Sequence, residues 1–171
     1  AARPSSTSCL YAVFFSSLSG ELASSTSSYI PKIETGQFVS YQRIGTTWEA
    51  VAKDGMVYTF GSSTDSRQSD PDDSSYVARW YLSSIEDQNG NEISYEYDLV
   101  DGVVYPSEIN YADSYKIEFS TSQTGSHRFS NLGFLSERDK VVSTIELKVD
   151  NQLVRKWDLS YAAGINDTRD L

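Results

Sequence analysis

The chain has 171 residues, a formal net charge of −10, 13% aromatic residues, twelve of its side chains tyrosine, and one cysteine. That length can bury the core of one domain. The acid excess, with no basic stripe to displace counterions from phosphates, excludes a nucleic-acid binder and sets the chain against anionic membrane surfaces; a lone Cys9 excludes an internal disulfide, and no apolar run of about 18 residues is present to span a membrane.

The chain begins Ala1-Ala2-Arg3-Pro4, without an initiator methionine, and is read as processed or cut from something larger. Only Arg3 precedes the short apolar run Cys9–Phe15, too little for a signal peptide. Residues 1–36 are rich in Ser and Thr. One strand is expected at Leu10–Phe15, with loops on either side. From Gln37 the texture changes. Phe38, Val39, Tyr41 and Ile44 predict a strand ended by Gly45, and Thr47–Lys53 predicts a second. Asp54-Gly55 then turns the chain into the alternating Met56, Tyr58 and Phe60. Residues 62–75, with Asp65, Asp70, Asp72 and Asp73 and no apolar residue except Pro71, read as a mobile surface loop.

The stretch Val77–Tyr97 reads as two strands around Asn89-Gly90, both of which tolerate the positive φ of a two-residue hairpin loop. Ile93, Tyr95 and Tyr97 alternate with Ser94 and Glu96, which puts one face on a core and one in water. Asp101-Gly102 predicts the next turn. The strand from Val104 to Tyr111 contains Pro106, which cannot donate to a ladder and so marks an edge, a late start or a bulge. Ala112-Asp113-Ser114 turns again into Tyr115, Ile117 and Phe119. Residues 121–138 look irregular, anchored by Phe129, Leu132 and Phe134. Lys140–Val149 and Leu153–Tyr161 form the closing pair across Asp150-Asn151, with Trp157, Leu159 and Tyr161 expected to meet Ile145, Leu147 and Val149. The tail after Ala163 is polar and expected to fray. The fold class is therefore all-β, an antiparallel meander of long hairpins in an open or partly rolled sheet with little helix. Residues 1–36 form an N-terminal segment, 37–163 the hairpin domain and 164–171 a tail.

Chemistry is hard to find in these residues. His127 is the one histidine, with no Gly-x-Ser-x-Gly elbow to accompany it, and Cys9 sits in an apolar run. Asp54, Asp87 and Asp101 belong to turns. Glu96, Glu118 and Glu146 fall on predicted solvent faces, whereas a glycosidase needs two acids converging across a cleft. Asp87-Gln88-Asn89-Gly90-Asn91 superficially resembles a calcium loop, but its glycine is fourth, not sixth. The Asp70–Asp73 stretch could hold a weak Ca²⁺, against the plainer reading of a solvated loop. No Cys/His cluster for zinc and no Gly-rich phosphate loop is present. Tyr95, Tyr97, Tyr111 and Tyr115 either pair across strands or, if exposed, stack on sugar rings. No catalytic residue, metal ligand or cofactor is assigned.

The run from Trp80 to Tyr97 resembles a signature of the SpvB-type domain, found at the start of the Salmonella virulence plasmid B protein and in the B component of bacterial insecticidal toxin complexes. Gly90-Asn91 followed by Tyr95-Glu96-Tyr97-Asp98 is similar to the YD repeats of Rhs proteins. Tyr41-Gln42-Arg43-Ile44, Trp48-Glu49, Lys53-Asp54-Gly55 and Tyr58-Thr59-Phe60-Gly61 resemble the family's preceding hairpin. Tyr105–Tyr111 resembles the strand that follows, and Val142–Leu147 with Leu153–Tyr161 resembles its closing hairpin. The likeness runs from Phe38 to Tyr161; residues 1–36 match nothing in it. Family members are longer. Their ADP-ribosyltransferase activity belongs to a separate domain in some members, and none of its residues carries over. The resemblance implies a non-catalytic segment of a secreted or cell-surface bacterial protein, part of a β-strand shell that encapsulates or delivers a toxin. Its partners would be the remainder of that larger protein and, through open sheet edges, other copies. A carbohydrate-binding or adhesive module using exposed tyrosines is the alternative.

Overall fold

The computed structural model describes residues 14–16, 18–24, 28–163 and 169–170, and every regular element among them is a strand. Three short strands come first: β1 (Phe14–Ser16), β2 (Gly20–Ser24) and β3 (Tyr29–Pro31). They lead into β4 (Ser40–Ile44), β5 (Thr47–Val51) and β6 (Val57–Phe60). After β7 (Arg67–Asp70) and β8 (Asp73–Trp80) come β9 (Leu82–Glu86), β10 (Glu92–Val100), β11 (Val103–Tyr111), β12 (Tyr115–Phe129), β13 (Ser136–Val149) and β14 (Gln152–Asp158). Two short strands, β15 (Ala162–Ala163) and β16 (Arg169–Asp170), pair with each other. Among the described residues one twelve-stranded sheet runs β1 to β6 and then β9 to β14, each strand antiparallel to the last. Its two ends do not meet, so it is open. β7 and β8 leave that order and pair only with each other.

The predicted all-β meander is therefore what forms, and several turns are of the expected kind. Asp101 (φ 49°) and Gly102 (φ 72°) make a two-residue loop, as do Asp150 (φ 49°) and Asn151 (φ 62°). Left-handed backbone at both positions matches the right-handed twist of the flanking strands. Pro106 sits at a bulge: Glu96 stands opposite Glu108, but Tyr97 stands opposite Pro106, leaving Ser107 as the extra residue. β12 pairs with β11 only from Glu108 to Tyr111, so Pro106 also lies where β11 has no partner on that side.

Other expectations are corrected. Residues 62–75 are not a loop throughout, because β7 and the start of β8 lie there, with Ser66, Gln68, Ser69 and Asp70 buried. The stretch Val77–Tyr97 is not one hairpin. Tyr81 is a crossing point, where its N–H donates to the Ser66 carbonyl (2.8 Å) and its carbonyl accepts from Gly61 N–H (2.8 Å). Everything before it belongs to the small sheet. The Asn89-Gly90 turn is longer than two residues. Gly90 N–H closes on the Asp87 carbonyl (3.1 Å), Asp87 N–H bonds the Asn91 carbonyl (3.0 Å), and only Gly90 has positive φ. This is a tight turn followed by a glycine bulge, and residues 52–56 repeat it with Gly55. Much of 121–138 is strand, since β12 and β13 stay paired through two register shifts as far as Phe129 opposite Ser136. Phe134 is the buried anchor expected there.

At the ends, β2 and β3 occupy positions read as loop, and β3 pairs with β4 through Tyr29 and Tyr41. The strand expected at Leu10–Phe15 is described only from Phe14, and Cys9 lies outside the described residues. Arg169–Asp170 is paired where fraying was expected. Trp157 does meet Ile145, but Leu159 lies past β14, where its N–H bonds Ser143, and Tyr161 sends its hydroxyl to the Val142 carbonyl.

The core sits at one end of the sheet. Val39, Tyr41, Trp48 and Ala50 are buried, with Tyr29, Tyr58, Phe60 and Trp80 packed around them. Trp48 meets Tyr29 edge-on at 4.8 Å and Trp80 at 6.2 Å between ring centroids. Trp80 reaches the core because Gly61 gives way to it: a Cβ there would lie 2.3 Å from the indole, and Gly61 holds φ at 70°.

Candidate functional site

Period-two alternation, carried through the register of β10 to β14, gives that half of the sheet two unlike faces. On one face lie Ile93, Tyr95, Ile109, Tyr111, Tyr115, Ile117, Ile145 and Leu147. Tyr111 and Tyr115 are 50% and 48% exposed, and the aliphatic residues are half-buried. On the other face, Glu96 stands opposite Glu108, Glu108 opposite Glu118, Glu118 opposite Glu146, and Glu146 opposite Lys156. Four glutamates thus occupy one row across four strands.

Like charges directly opposite one another destabilise a sheet. Here the next row supplies the compensation, because Lys116 stands opposite Lys148. Lys116 Nζ is 2.9 Å from Glu108 and 4.0 Å from Glu118; Lys148 Nζ is 2.5 Å from Glu118 and 3.4 Å from Glu146. Partial burial pushes the Glu108 carboxyl up, but the bonds from Lys116 and Asn110 outweigh it and hold the group below its ordinary value. Both lysines are raised, Lys116 chiefly by its bond to Glu108 and Lys148 chiefly by its bond to Glu118. Lys156 closes the row and pairs with Asp158 at 3.2 Å.

At the other rim, β7–β8 is clasped by two later loops. Gln68 is buried, donates through Nε2 to the Gly102 carbonyl (2.6 Å), and accepts from the Tyr81 hydroxyl (3.1 Å). Buried Ser136 donates to the same Gly102 carbonyl (3.2 Å), and Glu137 N–H bonds the Asp101 carbonyl (3.0 Å). Ser83 donates to Ser66, and Tyr76 meets Phe134 edge-on at 5.9 Å. The polar residues that made this stretch look like a loop instead satisfy one another where the hairpin tips meet.

The other candidates separate clearly. His127 is exposed on β12, stacked on Phe129 at 6.3 Å. Asp54 and Asp87 are loop caps. Asp54 accepts from Met56 N–H, and Asp87 accepts from the N–H groups of Asn89 and Asn91 and from the Asn91 amide, which pulls its carboxyl down to about 2. Asp101 serves through its backbone. Asp70 is buried and caps Asp72 N–H, while Pro71, Asp72 and Asp73 are exposed at the turn, so the solvated loop expected there is confined to the tip of the β7–β8 hairpin. No group of three or more metal-ligating side chains is found among the described residues. Tyr97 is held inside: its hydroxyl donates to the Leu82 carbonyl (2.7 Å), and burial pushes its pKa up to about 12. Of the four tyrosines, only Tyr111 and Tyr115 are exposed, with ring centroids 6.1 Å apart. Glu96, Glu118 and Glu146 do share a face, as alternation predicted. Glu108 was missed, since only the bulge at Ser107 brings it into their row. These acids lie side by side and tied to lysines, not opposed across a cleft. An open polar hollow lies nearby at the loop rim, lined by Asn91, Glu92, Ser94, Asn110 and Asp113. No helix among the described residues is long and apolar enough to cross a membrane.

Comparison with known proteins agrees with this architecture. The N-terminal domain of the effector protein SpvB from Salmonella typhimurium strain LT2 superposes with a TM-score of 0.67 at 16% identity, over 79% of this chain and 63% of that one. TcdB2-TccC3, in a crystal structure with Cdc42, gives 0.69 at 15% identity, over 78% of this chain and 10% of that one. The Photorhabdus luminescens Tc holotoxin pore gives 0.67 at 16%, again over 78% and 10%. The chain thus spans under two thirds of the first and a tenth of the toxin chains. No curated protein matches. The family model of the Salmonella virulence plasmid 65kDa B protein matches residues 21–132, from β2 into the loop after β12. That match takes in most of the sheet and the Gln68–Gly102 part of the clasp, and this chain belongs to the family of the Salmonella virulence plasmid 65kDa B protein.

Proposed function

We propose that the chain is a non-catalytic wall segment of a larger secreted, toxin-complex or Rhs-type protein, its strands forming part of a shell that encapsulates or delivers a toxin. The sheet itself carries this reading. It is one continuous layer of successive hairpins, with a charged face, an apolar face and, among the described residues, two open edges. A freestanding domain covers its apolar sheet face, and here β12, β13 and β14 pack chiefly on their ladder neighbours. The toxin chains it resembles are about eight times its length, which fits a segment that gains its cover from the rest of a longer protein.

A wall has an inside and an outside. In the longest polypeptide carrying this chain, with Cys9 replaced by Ser, a cysteine at Ser94 on the charged face or at Ile109 on the apolar face is challenged with a bulky maleimide. One face should label in the native protein and the other only after denaturation; equal labelling of both rejects the wall. Non-catalysis is tested by a hydrolase screen, and turnover abolished by His127→Ala or by removing one glutamate of the row overturns it. A second reading, sugar stacking on Tyr111 and Tyr115, draws on their exposure. Glycan-array binding lost in Tyr115→Ala would support it over the wall.

A further inference from the structure

Asp54-Gly55, Asn89-Gly90 and Asp101-Gly102 each set an Asp or Asn before a glycine. In such a pair the glycine nitrogen can attack the side-chain carbonyl carbon, because no Cβ hinders the approach. The fold treats the three peptides differently. At Asp101-Gly102 the Asp101 carbonyl accepts from Glu137 N–H, the Gly102 carbonyl accepts from Gln68 and Ser136, and Gly102 is buried. At Asp54-Gly55 the Gln88 side chain lies over a half-buried glycine and donates to the Asp54 carbonyl. Asn89 and Gly90 are both exposed, and a Cβ on Gly90 would meet open space. Among the described residues the Asn89 amide makes one long bond, from Nδ2 to Asp87 at 3.4 Å, and Gly90 N–H is held by the Asp87 carbonyl of its own turn.

We propose that Asn89 is a site of spontaneous deamidation, a slow covalent change that adds a charge to the β9–β10 turn and loosens it. The Gly90 nitrogen gives up its proton and bonds to Asn89 Cγ. The Cγ–Nδ2 bond breaks, and ammonia leaves carrying that proton. The product is a cyclic succinimide, which water then opens. Cleavage of the ring at Cγ leaves aspartate. Cleavage at the Asn89 main-chain carbonyl leaves isoaspartate, whose backbone runs through the side chain and is longer by a methylene. Nothing is oxidised or reduced. Either product sets a carboxylate beside Asp87. That residue closes the turn by accepting from Asn89 N–H, Asn91 N–H and the Asn91 amide. A like charge there replaces a donor and works against the closed turn.

The full chain is incubated at mildly alkaline pH, folded and in urea, and peptide mapping follows the acid formed at Asn89. Conversion in the folded chain should stay within about tenfold of that in urea, because exposed turns open at little cost. Asp101→Asn puts the same dipeptide in the clasped turn. Its new asparagine should convert at least about tenfold more slowly than Asn89, since three hydrogen bonds hold that peptide. Asp54→Asn should fall between the two. Asn89→Gln, which needs a larger ring, should stay intact. Hydrogen exchange at the Asn91 amide should quicken as Asn89 converts, and Asn89→Asp should show the same gain from the start. Asn89 left intact in the folded chain while it converts in urea overturns the proposal. So does a folded Asp101→Asn whose new asparagine reacts as fast as Asn89, or conversion that leaves exchange at Asn91 unchanged.

Discussion

Around β4, β5 and β6 the sheet buries Val39, Tyr41, Trp48 and Ala50 and lays Trp80 of β8 against them. In β10 to β14 the same alternation leaves Ile93, Ile109, Ile117 and Leu147 half-buried and Tyr111 and Tyr115 exposed. The strands are longer there, up to fifteen residues in β12, so the ladder is more extensive where the packing is thinner. The first region is held by side chains removed from water. The second is held by backbone pairing, cross-strand contacts and lysines set between glutamates. A surface built the second way keeps its apolar face available to whatever lies beyond it.

The sharpest way to break the comparison is to remove one side chain from each region. Trp48→Ala should cost about 3–5 kcal/mol in urea unfolding, because it opens a cavity among Tyr29, Trp80 and Tyr41. Ile117→Ala should cost only about 1 kcal/mol, since the lost methyls were partly in water already. Equal costs would mean the wing is covered after all. Next is the clasp between them: Gln68→Leu strips the Gly102 carbonyl and the Tyr81 hydroxyl of a buried partner, an expected loss of about 1–3 kcal/mol.

Tyr97→Phe should cost about 1 kcal/mol through its bond to Leu82. It also has a pH signature. The folded pKa lies near 12 against an ordinary 10, so the neutral hydroxyl stabilises the fold fully below 10 and that contribution is lost as pH rises through 12. The phenylalanine variant should lack this alkaline loss. The smallest effect is expected at Asp87. Its carboxyl is held near 2 against an ordinary 3.8, so its contribution is present above 3.8 and lost as pH falls towards 2. Urea midpoints of the wild type and Asp87→Ala should converge over that window; a constant gap would show that the charge is not what closes the loop.

The legible parts of this fold were those written locally. Asp101-Gly102 and Asp150-Asn151 announce their turns because few other residues accept φ near 50–70° in succession. Ile93, Tyr95, Ile117 and Phe119 announce their strands by period two. The β7–β8 hairpin was not legible, because its buried residues are Ser66, Gln68, Ser69 and Asp70. Their partners, at Gly102 and Ser136, lie far along the chain. The glutamate row was half legible: parity placed Glu96, Glu118 and Glu146 on one face, but register across strands depends on a bulge that Pro106 hinted at and did not position.

The clasp also bears on the order in which the molecule assembles. Nearly every strand of the large sheet pairs with the one before it, so each hairpin can zip as soon as its second arm is available, with little chain entropy spent on closing long loops. The bonds from Gln68 and Ser136 to Gly102 each span 34 residues. In a chain emerging from its N-terminus, β7–β8 must wait for the Asp101-Gly102 tip and then for Ser136 before it can lock. Folding of this domain is thus expected to be quick and progressive along the meander, with one late step that reports that residues 61–136 have all arrived.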